Sequence, residues 1–163
     1  MNIFVLDKDP TKAAQYMCDK HIPKMILETA QLLCSAYDDA PYKRTHYNHP
    51  CAVWTRQSQN NYSWLILHGY ALQEEYFKRY GKRHKSFDVI VWCYENRQRL
   101  NIADLGLTSF ALCMPDQYKV GDVVESYRQY YRLGKTFAKW DRLGNRPEWM
   151  DNNDYRIQGY SNI

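Results

Sequence analysis

Four polar residues that could take part in chemistry lie close together within the stretch Cys18–Gln31, CDKHIPKMILETAQ: Asp19, Lys20, His21 and Lys24. Pro23 lies among them at a position typical of a helix start, because proline lacks the N–H group that the first helical residues leave unpaired. The unpaired N–H groups of a first turn carry partial positive charge. Together with Lys20 and Lys24 they predict a site for an anion such as a phosphate.

The helix that follows has an apolar face, and a polar row lies opposite to it: Lys24, Glu28, Gln31 and Ser35. Two interpretations of this row remain open. It is either a solvated face with one ion pair between Lys24 and Glu28, or one wall of a pocket that binds a phosphate and a base.

Further basic residues are candidates for binding the phosphates of a nucleic acid, and with Lys24 they are Arg44, His49, Lys82, His84 and Lys85. The chain also has fifteen Tyr and five Trp, which supply rings for stacking on bases. Trp54 and Trp64 are the candidates for base stacking, although both also fit a buried core. His68 fits the core as well, and general acid–base catalysis is its second interpretation.

Several site classes are excluded by their missing motifs. The sequence has no GxxxxGK[ST], no GxGxxG and no GxSxG, so a phosphate-binding loop, a dinucleotide site and a nucleophile elbow are not expected. The short-spaced pairs of metal-ligand residues are Cys18 with His21 and His46 with His49, and neither has a carboxylate partner. We therefore expect no metal and no other cofactor.

The length of 163 residues fits one domain with its own core, and the net charge of +4 suits a polyanionic partner. Five cysteines occur without CxxC spacing, which is typical of reduced thiols in a cytosolic protein. No apolar segment approaches about 20 residues, and no basic leader precedes the short apolar run near the start. The sequence thus predicts a soluble cytoplasmic protein without a membrane segment.

Helix signals occur along most of the chain. Asp9 and Pro10 predict the start of a first short helix, with Asp as the cap and Pro in the first turn. Residues 51–80 have a helical pattern with an interruption near 57–61, and Gly81 is expected to end that helix.

The second half of the chain has fewer regular patterns. Ser86 is predicted to cap a helix over 87–99, and Asp122 with Glu125 resembles a capping box before a helix that runs to Gly134. Strand signals do not alternate with helix signals along the sequence. The predicted class is therefore all-α: one compact helical domain over 1–163 with long loops, of which 151–163 form a peripheral tail.

Seven short motifs follow one another along most of residues 1–150: DKHIPKMILETAQLL, YNHPCAVW, HGYALQEEY, GKRHKS, YRQYY, FAKW and RPEWM. Their order resembles the pyrimidine-dimer DNA glycosylase family. The resemblance implies an all-α single domain that flips a nucleotide out of the duplex and attacks the sugar C1′ with its N-terminal α-amino group. An imine intermediate then precedes strand cleavage. Because α-amines have pKa values near ~8 in general, a useful fraction of such a nucleophile is neutral at pH 7.

The resemblance also implies roles for particular residues. Removal of the initiator Met would leave Asn2 at the position of the nucleophile, and Lys20 and Lys24 match the positions that hold phosphates. In the family a glutamate at the start of the second helix stabilises the cationic intermediate, and His21 stands at that position here. A protonated His21 would repel such a cation. An asparagine at position 2 also disfavours removal of the initiator Met. Both residues therefore depart from the family pattern.

These two departures leave alternatives for the chemistry. In one alternative the nucleophilic amine is the side-chain amine of Lys20 or Lys24. In the other, the carboxylate of Asp19 or Glu28 activates water, and the protein is a glycosylase without lyase activity.

Three functions follow from these observations. The first is a DNA-processing enzyme that acts on the N-glycosidic bond of a damaged or modified pyrimidine nucleotide flipped from DNA. The second is a non-catalytic protein that binds nucleotides or nucleic acid on the same scaffold. The third is a helical protein-interaction domain. The expected partner is thus DNA or a modified nucleotide.

Overall fold

The computed structural model describes residues 1–152, and in this part of the chain it contains α-helices and no strand. The helices are α1 (Pro10–Tyr16), α2 (His21–Cys34), α3 (Pro50–Gln57), α4 (Gln59–Tyr80), α5 (Lys85–Glu95) and α6 (Val123–Gln129). A π-helical turn, Tyr130–Gly134, continues α6, and short 3-10 turns lie at Arg97–Arg99, Asp116–Tyr118 and Glu148–Asp151. The prediction of an all-α fold is confirmed. The predicted tail falls almost wholly outside the described residues.

Most helix ends lie where their capping residues predict them. The Asp9 carboxylate accepts a hydrogen bond of 2.8 Å from the Thr11 N–H at the start of α1. The interruption in 51–80 is at Ser58, which has extended backbone and caps α4 with its hydroxyl. Gly81 ends α4 with a φ of 70°, a conformation that costs glycine little.

The boundaries of α5 differ from the prediction of a helix over 87–99. The cap is His84, whose ring Nδ1 accepts the Ser86 N–H at 3.1 Å, so the helix begins at Lys85 and Ser86 lies inside it. It ends at Glu95, and a 3-10 turn follows at Arg97–Arg99. A histidine cap was missed because imidazole is a less common acceptor at this position than hydroxyl or carboxylate oxygen.

Helix α4 is the centre of the fold and packs against α1, α2, α3 and α5. Gly69 allows it to approach two neighbours at once. A Cβ at this position would lie 3.1 Å from the Ile90 side chain on α5 and 3.2 Å from Thr29 on α2. The extended N-terminal segment is also part of the core, since the side chains of residues 3–6 are almost fully buried. None of the described helices combines the length and apolar character needed to cross a bilayer.

A buried guanidinium group joins the central helix to the corner between α1 and α2. Arg79 donates to the Asp19 carboxylate at 3.1 Å and to the Glu75 carboxylate at 2.8 Å. It also donates to the carbonyl oxygens of Met17 at 2.6 Å and Gln15 at 3.0 Å. Because these bonds use the whole donor fork, one side chain joins the two buried acids to the end of α1.

We expect Arg79→Met to lower the free energy of unfolding by about 3–5 kcal/mol, because Asp19 and Glu75 would stay buried without their shared cation. Arg83→Met is the matched control. Arg83 also pairs with a carboxylate, that of Asp88 at 2.6 Å, but the two side chains are 58% and 68% exposed. Such pairs contribute about 0–1 kcal/mol. Urea denaturation measures both changes, and equal losses in the two variants would contradict the structural role given to Arg79.

Candidate active site

The start of the chain lies against a buried carboxylate in the middle of α2. The α-amino nitrogen of Met1 is 3.5 Å from Glu28 Oε1, and the backbone N–H of Asn2 donates to the same oxygen at 2.9 Å. Glu28 is only 8% exposed. The first amine of the chain therefore lies beside Glu28 whether the chain starts at Met1 or at Asn2. Glu28 is not part of a solvated face, whereas Lys24 on the same polar row is exposed.

Asn2 fixes the position of this first segment. Its side-chain amide donates to the carbonyl oxygen of Cys113 at 2.7 Å, and its Oδ1 accepts the N–H groups of Ile3 at 2.8 Å and Phe4 at 3.1 Å. Phe4 has a φ of 56°, an unfavourable conformation for a bulky residue. The Asn2 hydrogen bonds and the packing of the Phe4 ring hold that conformation, so the path of residues 1–4 is set by side chains of the fold.

A histidine and two thiols form another side of this centre. Cys51 Sγ lies 3.2 Å from Cys113 Sγ. Together with His49 they form the one group, among residues 1–152, of three His, Cys, Asp or Glu side chains of the kind that could hold a metal ion, with their nitrogen and sulfur atoms within 4.8 Å of one another. The His49 Nδ1 accepts the Cys51 N–H at 3.1 Å and caps α3. Burial lowers the pKa of His49, and the positive charge of the N-terminus lowers it further. The group was missed in the sequence because 62 residues separate the two cysteines.

His21 lies at the start of α2, two turns and about 10 Å along the helix from Glu28. Its ring stacks on Phe4 at 4.6 Å, and its Nδ1 lies 2.7 Å from the hydroxyl of Tyr131. Burial lowers the pKa of His21 to about 4, with a further contribution from Lys135, Lys24 and Lys20. The ring is therefore neutral at pH 7, and it supports the N-terminal segment through Phe4. The family resemblance implies a carboxylate at the start of α2, where His21 stands. The carboxylate beside the amine is instead that of Glu28, in the middle of the helix.

Lys20 lies at the edge of an open groove of about 720 Å³. The Lys20 ammonium is 4.9 Å from the centre of the Phe137 ring, and the Arg142 guanidinium is 4.0 Å from the centre of the Tyr80 ring. The groove thus combines cations with partly exposed rings, a composition suited to a phosphate and a base. Its lining residues are Asp19, Lys20, Tyr80, Phe137, Lys139, Asp141 and Arg142.

The basic turn after α4 comes to the same end of α2. His84 lies beside the carbonyl group of Pro23, and its backbone N–H donates to the Gln73 side chain at 2.9 Å. Burial lowers the pKa of His84, and Lys85 lowers it further. Lys82 and Lys85 are exposed on this turn. Together with Lys20 and Lys24, they surround the start of α2 with positive charge.

Arg44 is at the other end of the same helix. Its Nε donates to the carbonyl oxygen of Ser35 at 3.2 Å, and Arg56 donates to the Ser35 hydroxyl at 2.9 Å. The two guanidinium groups lie 5.0 Å and 3.8 Å from the centre of the exposed Tyr47 ring. Cations near a helix C-terminus are favoured by its dipole. Positive charge is thus present at both ends of α2, with Glu28 and the amine between them.

Trp54 and Trp64 lie in the core, not on a base-stacking surface. They are 3% and 6% exposed, and both indole N–H groups donate to backbone carbonyls, of Thr108 and Lys8. Trp54 stacks on Phe110 at 5.0 Å and Trp64 stacks on His68 at 5.1 Å. Since protein atoms cover these ring faces, a base does not reach them in this conformation. Tyr47 and Phe137, each 43% exposed, are exposed rings that lie near Arg44 and Lys20.

A model of the pyrimidine dimer DNA glycosylase family matches residues 1–88, which is more than half of the chain. No curated protein and no solved structure matches the chain. The matched segment contains Asn2, Glu28 and His49. Cys113 and the groove residues from 137 onwards lie beyond it.

The neutral state of His21 predicts a pH-dependent stability. Between about pH 6.5 and about pH 4 the unfolded chain binds a proton at this position that the folded chain does not, so stability decreases as pH falls. His21 contributes up to about 1.4 kcal/mol per pH unit to that slope. His21→Leu is expected to reduce the slope measured by urea denaturation between about pH 7 and pH 5.

The matched control for this slope is His46→Asn, because His46 is exposed and asparagine tolerates its φ of 51°. The control is expected to keep the slope of the wild type. An unchanged slope in His21→Leu would show that His21 does not remain neutral in the folded protein.

Proposed function

Because the chain belongs to the pyrimidine dimer DNA glycosylase family, we propose that it removes a damaged or modified pyrimidine from DNA with its N-terminal α-amino group as the nucleophile. The observation that carries this proposal is the position of the amine, 3.5 Å from the Glu28 carboxylate. A buried carboxylate next to an α-amine can accept a proton from that amine and stabilise positive charge that develops at a sugar carbon.

The proposed reaction uses two groups of this centre, the α-amino group and the Glu28 carboxylate. The amine nitrogen forms a bond to C1′ of the sugar while the N-glycosidic bond breaks, and the base leaves with the bonding electrons and gains a proton. The ring oxygen is then released from C1′, which leaves an imine between the sugar and the protein. Glu28 stabilises the positive charge at C1′ and accepts a proton from the attacking amine. Loss of a proton from the sugar and elimination of the 3′ phosphate would break the strand.

The surface along α2 is suited to hold the DNA during this reaction. From Lys20 to Glu28 the helix rises about 12 Å, the length of three to four base-pair steps. We propose that the groove at Lys20 and Arg142 binds backbone phosphates on one side of the reacting sugar. Arg44 binds them on the other side, and Tyr47 and Phe137, in place of the two buried tryptophans, are the rings available for bases.

The α-amine is a better candidate than the Lys20 amine. The Lys20 ammonium packs over an aromatic ring at the rim of the groove, and its neighbour Asp19 is already bonded to Arg79 and to the backbone N–H of Arg142. The α-amine instead has a buried carboxylate partner that also bonds the next N–H of the chain.

Non-catalytic binding of nucleic acid is the second candidate function, and the basic residues at the two ends of α2 favour it, because they can bind phosphates whether or not the amine reacts. Such a protein would bind DNA through the same basic residues and form no covalent intermediate.

Borohydride reduction of the imine tests the proposal. We expect the protein to be trapped on an oligonucleotide that carries either a pyrimidine dimer or an abasic site, with the adduct on the N-terminal peptide by mass spectrometry. Glu28→Gln should reduce base release by about 10²–10³-fold, the usual loss when one charge-stabilising group is removed.

Glu74→Gln is the matched control, because it is the same substitution at a side chain that is 70% exposed on α4. This variant should keep the wild-type rate. An adduct on a lysine peptide would contradict the α-amine as nucleophile. DNA binding without any adduct or base release would favour the non-catalytic candidate.

A further inference from the structure

Two thiols from distant parts of the chain lie in contact beside the amine centre. Cys51 is in the first turn of α3, and Cys113 is in the long segment between α5 and α6. Their sulfur atoms are 3.2 Å apart. A disulfide bond has a length of about 2.05 Å, so the sulfur atoms need to approach by only about 1 Å to form one.

Access distinguishes this pair from the second thiol pair of the protein. Cys34 and Cys93 have sulfur atoms 3.8 Å apart, but both residues are fully buried in the core. All five cysteines lie within residues 1–152, and Cys113 is the one that is not buried. A small oxidant in solution therefore reaches the Cys51–Cys113 pair through Cys113 and has no comparable route to the core pair.

Cys113 is the sulfur of this pair that reacts first, because Cys113 is partly exposed whereas Cys51 is fully buried. Cys51, whose sulfur is in contact with that of Cys113, is the thiol positioned to resolve the product.

We propose that Cys51 and Cys113 are a modification site at which a peroxide forms a disulfide bond. The Cys113 thiolate attacks one peroxide oxygen, the O–O bond breaks, and the hydroxide that leaves takes up a proton to give water. The Cys51 sulfur then attacks the sulfenic acid on Cys113, the S–O bond breaks, and the second hydroxide leaves as water with the Cys51 proton. Two thiols are oxidised by two electrons, and one peroxide is reduced to two waters.

The disulfide would join the two segments that hold the start of the chain. The carbonyl group of Cys113 accepts the Asn2 side chain at 2.7 Å, and Cys51 donates its N–H to His49 beside the amine. Moving Cys113 toward Cys51 shifts the anchor of Asn2, and displacements near 1 Å cost on the order of 10²-fold in rate. This consequence rests on the proposed function, whereas the disulfide itself rests on the contact between the thiols.

Hydrogen peroxide treatment of the full chain tests the site. After alkylation of the remaining thiols and digestion without reductant, we expect a Cys51–Cys113 linked peptide whose mass is lower by two hydrogen atoms. Dithiothreitol should restore both thiols. Cys34 and Cys93 should remain reduced and become alkylated on denaturation, so they serve as the internal control.

Two variants complete the test. Cys51→Ser should stop the reaction at a Cys113 sulfenic acid that dimedone captures, and Cys113→Ser should leave Cys51 unmodified. If peroxide leaves Cys51 and Cys113 alkylatable, or links Cys34 to Cys93 equally fast, the proposal is overturned.

Imine trapping on an abasic oligonucleotide is the second readout, compared before and after oxidation. A linked peptide with reduced trapping supports both the site and its effect. A linked peptide in a protein that never forms an imine supports the thiol site and contradicts the proposed function, so the two failures remain distinguishable.

Discussion

The structure depends on the burial of one carboxylate, that of Glu28, in the face of α2 that the start of the chain covers. A buried anion is costly unless a cation and hydrogen-bond donors neutralise it. Here the first two residues supply both, the α-amino group of Met1 and the backbone N–H of Asn2. The N-terminus, which is poorly ordered in many proteins, is therefore tied to the core by the charge that it neutralises.

The remainder of the fold maintains this contact. Asn2 is held by the segment that contains Cys113, and the strained backbone of Phe4 is held by its stacking on His21. His21 in turn bonds to Tyr131, which lies in the π-helical turn Tyr130–Gly134, and such turns are often found near functional sites. Arg79 fixes the corner from which α2 starts. The basic residues lie outside this framework at both ends of α2, where they remain available to a polyanion.

Local sequence signals predicted the fold well, because helix caps and periodicity act over a few residues. Asp9, Gly81 and Asp122 illustrate this, since each acts within one turn of the helix end that it sets. The cap of α5 was assigned to Ser86 because a histidine cap has a weaker signal. The tryptophans could not be separated into core and surface from the sequence, since the same ring suits both environments.

The candidate site was only partly predictable. Glu28 and Asn2 were identified as candidates, but their contact spans 26 residues and nothing local reveals it. The resemblance to a family instead directed attention to His21, whose neutral ring is explained only by burial and by three lysines that come together in the fold. The pair formed by Cys51 and Cys113 depends on the path of a long irregular segment, for which periodicity gives no information.

The contact between the α-amine and Glu28 is tested most directly by a double-mutant cycle on the free energy of unfolding. The four proteins are the wild type and Glu28→Gln, each with a free and with an acetylated N-terminus. If the amine neutralises Glu28 in the folded protein, the two changes should be coupled by about 1–3 kcal/mol. Additive effects, with a coupling below about 0.3 kcal/mol, would contradict the account, because the amine would then not lie against Glu28.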